Sequence, residues 1–231
     1  ALRSHRRCQG FKSLITHQIS SHAPAPGACF VSGRRLLDLP DIYLIRHGET
    51  EWNLAGRWQG DLDSPLTDTG RGQAAQIGAA LARAGIGPAT HRVYSSPLGR
   101  ARHTAALILA ALGQPDAAVT EDARLREISV GAWTGMSRTA IHAASGLHAD
   151  AHFMDYYAAA PGGEGFPAMQ TRALAFLGTL NAPSVIVTHG VTLRFLRAAA
   201  MGRRDAGLGD PLGSQGVIHH IAGGRHTEIC A

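Results

Sequence analysis

Asp41-Ile42-Tyr43-Leu44-Ile45-Arg46-His47-Gly48 is the stretch whose reading decides the fold. Strand-forming apolar residues run to Ile45 and give way at once to a cation, an imidazole and a glycine. Glu49-Thr50-Glu51-Trp52-Asn53 follows. Ligands of open α/β sheets bind at the carboxyl ends of strands. There Arg46 offers a planar donor fork for an oxyanion, and Gly48 lets backbone come close. The tripeptide alone is a weak signal, because a histidine at a strand end is more often a satisfied polar group than a reactive one. The rest of the chain has to decide.

Outward from that strand, the pattern alternates helix and strand, which predicts an α/β fold. Thr67 is placed to cap a helix whose apolar face carries Ala74, Ile77, Leu81 and Ala84. Arg92-Val93-Tyr94-Ser95 reads as a second strand. Ser96 and Pro97 then predict a helix start, with Leu98, Ala101, Ala105, Ile108 and Leu112 in step and Gly113 and Pro115 as the stop. A less regular stretch covers roughly 114–164. A helix from about Gly165 carries Phe166, Met169, Ala173, Phe176 and Leu180 on one face. Ser184-Val185-Ile186-Val187-Thr188 is apolar throughout, which predicts a central strand buried on both faces. It ends in His189-Gly190, and a helix starts near Val191. Gly223-Gly224 closes a terminal hairpin.

With 231 residues, the chain suits one core and one domain, 41–231. No apolar run is long enough to span a bilayer, so no membrane partner is expected. Residues 1–37 hold five arginines, Lys12 and no acid, against +5 for the whole chain, so residues 38–231 sum to about −1. The basic character therefore belongs to the tail. No basic stripe interleaved with aromatics marks a nucleic-acid surface, and no nucleic-acid partner is expected. Residues 1–40 read as an extension to the fold: disordered, started too far upstream, or a transit-like segment rich in Arg and Ser. The cysteines (Cys8, Cys29 and Cys230) have no metal or redox spacing. They point to a reducing compartment, and so to the cytoplasm.

Four separated segments place anion-binding chemistry at the ends of regular elements. They are Arg46-His47-Gly48-Glu49-Thr50-Glu51-Trp52-Asn53; Ser95-Ser96-Pro97-Leu98-Gly99-Arg100; Leu125-Arg126-Glu127-Ile128 with Gly131-Ala132-Trp133-Thr134-Gly135; and Thr188-His189-Gly190. The helix start before Arg100 is expected to favour an anion through its N–H groups and dipole. In this order and spacing the segments resemble the histidine phosphatase superfamily, whose fold is phosphoglycerate mutase-like. The resemblance runs from about Ile42 to Ile229. It implies a three-layer α/β/α sandwich with a mostly parallel central sheet.

The resemblance also implies roles. His47 is the nucleophile that carries the phosphoryl group as phosphohistidine. Arg46, Arg100 and His189 form the phosphate pocket, and Glu127 is the general acid and base. Asn53, Gln59, Gly60 and Gly190 lie against phosphate or substrate. Two guanidiniums and two imidazoles provide positioning and charge stabilisation without a metal or other cofactor. The partner is a small phosphomonoester, and the protein is a monomer or homodimer. Thr134 departs from the family pattern, in which an acidic residue often follows the tryptophan.

Other motifs carry bland readings. His148 and His152 have metal-helix spacing but lack the glutamate that a zinc helix carries, so a solvated stretch is expected. His219-His220 alternates along a strand, so at most one faces any site. Glu164, in Gly162-Gly163-Glu164-Gly165, is a candidate to cap a helix or touch substrate.

The family holds both phosphatases and mutases. Mutases carry a longer, basic insertion after the acid segment. Here the 27 residues between Trp133 and Pro161 hold a single arginine, Arg138, with Phe153, Met154, Tyr156 and Tyr157. That favours a phosphatase. A primer-dependent phosphoglycerate mutase is the alternative, and a non-catalytic binding protein on the same fold is the remote one.

Overall fold

The computed structural model describes residues 30–31, 34–35, 39–148, 150–203 and 213–231. Most of the basic extension, with Cys8 and Cys29, lies outside the described residues. Within it β1 (Phe30–Val31) pairs antiparallel with β2 (Arg34–Arg35).

β3 (Ile42–Arg46) is the strand of the opening stretch. It is followed by the single turn α1 (Glu51–Leu54), the long α2 (Asp68–Arg83), β4 (Arg92–Ser95), α3 (Gly99–Ala111) and β5 (Thr120–Glu121). The irregular middle holds α4 (Arg138–Ser145) and α5 (Phe153–Ala159). Then come α6 (Phe166–Leu177), β6 (Ser184–Thr188), α7 (Gly190–Ala200) and the hairpin β7 (Val217–Ala222) and β8 (Arg225–Cys230).

The sheet order is β5-β4-β6-β3-β7-β8. β5, β4, β6 and β3 are parallel, β7 adds antiparallel to β3, and β8 pairs antiparallel with β7. β6 is buried at every position between β4 and β3. Strand alternation sorts the core into two layers. Tyr43, Ile45, Val185 and Val187 pack against α2 and α3. Ile42, Leu44 and Ile186 pack against α6 and α7, with Ile141 of α4 and Met154 of α5 in the same cluster. The result is the α/β/α sandwich expected from the sequence.

The parallel strands place the ends of β3, β4 and β6 on one side, where all four motifs meet. Gly48 and Gly70 hold the first motif against the start of α2. A Cβ on Gly48 would run into the Gly70 carbonyl, and a Cβ on Gly70 would run into that of Glu49. Thr67 caps α2, as its position predicts, by accepting from Gly70 N at 3.0 Å. Ala84 falls just past the helix and is exposed.

The start of α3 differs from the expectation. The helix begins at Gly99, not at Pro97, and its N-cap Leu98 has no side-chain cap. A long-range carboxylate does the work instead. Asp63 Oδ2 accepts from Gly99 N at 2.6 Å, and Oδ1 accepts from Arg100 N at 3.2 Å. Among the described residues, no helix is long and apolar enough to cross a membrane.

Candidate active site

His47 sits one residue past β3 and is buried. Its Nδ1–H donates to Gly48 O at 2.8 Å. This tautomer puts the lone pair on Nε2, which has no hydrogen-bond partner among the described residues. The loop is fixed from below by Thr104, whose Oγ1 accepts from Gly48 N at 3.0 Å and donates to Arg100 O at 2.7 Å.

Beside His47, a cavity of about 80 Å³ is lined by Arg46, Arg57, Arg100, Arg138, Glu127 and Asn53, among others. Four arginines against one carboxylate make it a site for an anion. Arg46 donates from one terminal nitrogen to Gly213 O at 3.3 Å, and its buried Nε has no partner among the described residues. Burial lowers the Arg46 pKa while the Glu127 charge opposes that shift. Its guanidinium lies over Gly190, where a Cβ would stand 3.4 Å from Nε. Gly190 therefore gives Arg46 room instead of lining the pocket wall.

Arg100 is held from several sides. Its terminal nitrogens donate to Leu62 O at 2.6 Å, Asp63 Oδ1 at 2.8 Å and Gly60 O at 2.9 Å, and its Nε donates to His189 Nδ1 at 3.1 Å. A guanidinium has five N–H donors, so one remains for a ligand. Gly60 takes part through its carbonyl, in a left-handed conformation (φ +49°) that favours glycine.

His189 was expected in the phosphate pocket, but the structure places it behind. Its ring centroid is 5.1 Å from that of His47, yet both of its nitrogens are engaged. Nδ1 accepts from Arg100, and Nε2–H donates to Ser96 Oγ at 2.7 Å. Its geometry is that of a positioning residue for Arg100. Gln59 does line the cavity, with its side chain held by its neighbours. Its amide nitrogen donates to Thr50 Oγ1 at 2.8 Å, and its carbonyl accepts from Ser64 Oγ at 3.3 Å. Asn53 Oδ1 is taken by Thr50 N and by Gln215 Nε2, which leaves its own Nδ2 toward the cavity it lines.

Glu127 is carried by the loop after β5, which Thr188 Oγ1 ties to β6 by donating to Leu125 O at 2.8 Å. Its carboxylate sits on the N-terminus of α7. Oε1 accepts from Ile128 N and Thr192 N, each at 3.1 Å, and Oε2 accepts from Val191 N at 3.3 Å. Thr192 Oγ1 lies 3.2 Å from Oε1 and directs its single proton to Arg126 O at 2.6 Å. Oε2, with one long contact, is the oxygen with room for a proton. Carboxylates thus engage both helix N-termini at the site, Asp63 on α3 and Glu127 on α7. The expected anion site at the start of α3 is filled by the protein itself, through Asp63 on the N–H groups of Gly99 and Arg100.

Burial first, then the charges of Arg100 and Arg46, holds His47 well below the usual histidine range. His189 is lowered by burial and then by Arg100 and His47. Both rings are therefore neutral at neutral pH. In the unfolded chain each protonates near pH ~6.5. The folded state binds fewer protons below that pH, so this contribution to stability is full above pH ~6.5 and is lost as pH falls. Ring ¹⁵N shifts of His47 and His189 are expected to titrate with midpoints below 6.5, and the urea midpoint to drop between pH 7 and pH 5. A titration of His47 above 6.5 would contradict the neutral nucleophile.

The remaining motifs are structural. Glu164 neither caps α6 nor lines the cavity: it pairs with Arg172 through two contacts, at 2.5 and 3.0 Å. His148 is exposed, and His152 caps α5, accepting from Met154 N at 3.4 Å. His220 stacks on Tyr43 at 4.4 Å. On the opposite face His219 meets His226 and Glu228, a set whose ligand atoms could reach one metal ion. His219 is pushed down to about 4 by burial, then by the charges of Arg197 and His226. The burial and Arg197 charge that repel a proton also oppose a divalent ion.

A second cavity, of about 350 Å³, adjoins the first under α4 and α5 and shares Trp58, Arg138 and Tyr157 with it. Trp58 is held by backbone pairing, its N–H donating to Met136 O at 2.9 Å and its carbonyl accepting from Gly135 N at 2.7 Å. Sequence reading did not find this cavity, nor Asp63 or Arg57.

The histidine phosphatase superfamily (branch 1) model matches residues 42–221. The chain is 35% identical over 167 residues to the GpmB protein of Salmonella paratyphi B, described as a probable phosphoglycerate mutase, covering 70% of this chain and 74% of that one. Its fold is similar to YhfR of Bacillus stearothermophilus, with TM-score 0.66 and 32% identity over 81% of this chain and 94% of that one. It is also similar to the alpha-ribazole phosphatase of Shigella flexneri, with TM-score 0.66 and 28% identity over 78% and 90% of the two chains. A family match from the first core strand to the terminal hairpin, on a fold with the same neighbours, means that the chain belongs to the histidine phosphatase superfamily, branch 1.

Proposed function

We propose that this chain is a metal-independent phosphomonoesterase that works through a phosphohistidine on His47. The observation that carries this reading is the state of the His47 ring. Its Nδ1–H is fixed on Gly48 O, and its Nε2 lone pair is free beside a cavity rich in arginine.

Nε2 attacks phosphorus, and the P–O bond to the alcohol breaks as the N–P bond forms. Arg46, and the one free N–H of Arg100, hold the phosphoryl oxygens as charge shifts toward the leaving oxygen. Glu127, protonated on Oε2, gives that proton to the departing alcohol. It then takes a proton from water as water attacks the phosphohistidine. The N–P bond breaks, phosphate leaves, and His47 and protonated Glu127 are restored. His189 and Asp63 keep Arg100 in place throughout.

Hydrolysis is favoured over mutase chemistry by the adjoining cavity, whose walls are mainly aromatic and apolar. The mutase reading has one observation of its own. Arg57 joins Arg138 at the pocket wall, so two cations could meet a second anionic group. Product analysis separates the two. With 3-phosphoglycerate and with simple phosphomonoesters, free phosphate is expected, without 2-phosphoglycerate and without dependence on 2,3-bisphosphoglycerate. Primer-dependent 2-phosphoglycerate would make the chain a mutase.

A further inference from the structure

The cavity under α4 and α5 continues from the phosphate pocket, so it receives the alcohol half of any ester whose phosphorus faces His47. Its walls are Trp58, Ile141, Phe153, Tyr156 and Tyr157, with Arg138 at the junction and His142 at the rim. Trp58 and Tyr157 are stacked at 4.0 Å with their planes 15° apart. Trp133 meets the edge of Trp58 at 6.3 Å, and Arg194 lies 5.0 Å over Phe153, so two of the rings are fixed from outside the cavity. Flat, rigid walls of this kind favour flat ligands, through offset-stacked or edge-to-face contacts.

Charge narrows the class further. Among the described residues no carboxylate lines this cavity, and Arg138 stands where it meets the four-arginine pocket. A cationic alcohol would find no carboxylate there and would meet the positive field of the adjoining arginines, which opposes any attraction to the ring faces. The volume is sufficient for a ring system. At the outer end, His142 Nδ1 and Tyr156 OH are 2.8 Å apart. Both can exchange that hydrogen bond for one to a ligand, so the pair can read a polar ring edge.

Resting on the phosphomonoesterase reading, we propose that the substrate's alcohol carries a flat aromatic ring without positive charge. The ring is held by the Trp58 and Tyr157 walls, with its polar edge against Tyr156 and His142. Sugar phosphates and phosphoglycerates lack such a ring and leave most of the cavity unused.

The test compares primary alkyl phosphates, whose leaving oxygens are equally basic, so that only the tail differs. The full chain is assayed for phosphate release from n-propyl, 3-phenylpropyl, 3-(4-hydroxyphenyl)propyl and 3-ammoniopropyl phosphate. Burying a ring is expected to raise kcat/KM of the phenylpropyl ester over the propyl ester by about 10–100-fold, mainly through KM. The hydroxyphenyl ester should gain a further few-fold, and the ammonio ester nothing.

Trp58→Leu should shrink the phenyl-to-propyl ratio, and Tyr156→Phe the hydroxyphenyl-to-phenyl ratio. The second variant removes one oxygen and keeps the claim testable where the first does not fold. Equal kcat/KM for propyl and phenylpropyl esters, with phosphate released from both, would overturn the aromatic assignment and leave the phosphomonoesterase standing. Primer-dependent mutase activity without release from any of the four esters would overturn both.

Discussion

His47→Ala is expected to lower phosphate release by roughly 10⁴–10⁶-fold, the scale of losing a covalent nucleophile, and to remove the phosphoenzyme at the same time. Quenching into alkali during turnover of a ³²P-labelled ester, then counting protein-bound label, measures both. Label stable in alkali and released by acid is the behaviour of a phosphoramidate. The structure places two neutral, buried histidines with ring centroids 5.1 Å apart, so the assignment needs a contrast. His47 has a free Nε2, whereas both nitrogens of His189 are engaged by Arg100 and Ser96. His189→Ala should therefore slow turnover by loosening Arg100 while the protein still acquires label. Label surviving in His47→Ala and lost in His189→Ala would reverse the two roles.

The fold was legible because its signals are local. Alternating strand and helix periods mark the elements, and the buried run Ser184–Thr188 marks the middle of the sheet. The four motifs were legible as a set because each lies at the end of an element. In a parallel sheet those ends converge, so the sequence order alone implies a shared site. What escaped depends on contacts across long stretches of chain. Asp63 caps α3 from 36 residues upstream. Glu127 seats on α7 from 64 and 65 residues upstream. Neither contact has a local pattern, since the place where a loop carboxylate docks is not legible until its partner helix is placed. His189 is the sharpest case. Its residue type and position fit a phosphate ligand, and only the two hydrogen bonds on its ring place it behind Arg100. Arg57, counted outside the segment after Trp133, joins Arg138 because Arg57 and Ser137 bridge across the site.

Glu127→Gln is expected to change which step limits turnover, because the proposed mechanism uses the carboxyl group twice. Glutamine keeps the shape, and its carbonyl can still accept from the α7 N-terminus, so the variant should fold. It cannot protonate a leaving alkoxide. Alkyl esters should slow by about 10²–10⁴-fold in forming the phosphoenzyme, the usual worth of a general acid. Little phosphoenzyme would then accumulate. With 4-nitrophenyl phosphate the leaving oxygen needs no proton, so the first step survives and the second, which needs a base for water, does not. Rapid mixing should then record a burst of nitrophenolate close to one equivalent per site, followed by a slow steady rate, with labelled phosphoenzyme accumulating on the protein. A loss of equal size on both esters, with no burst, would mean that Glu127 takes no part in proton transfer and only anchors α7 beside the pocket. The burst is the decisive reading, since a glutamate that merely braces α7 would slow both esters through the same misplaced groups and leave no intermediate behind.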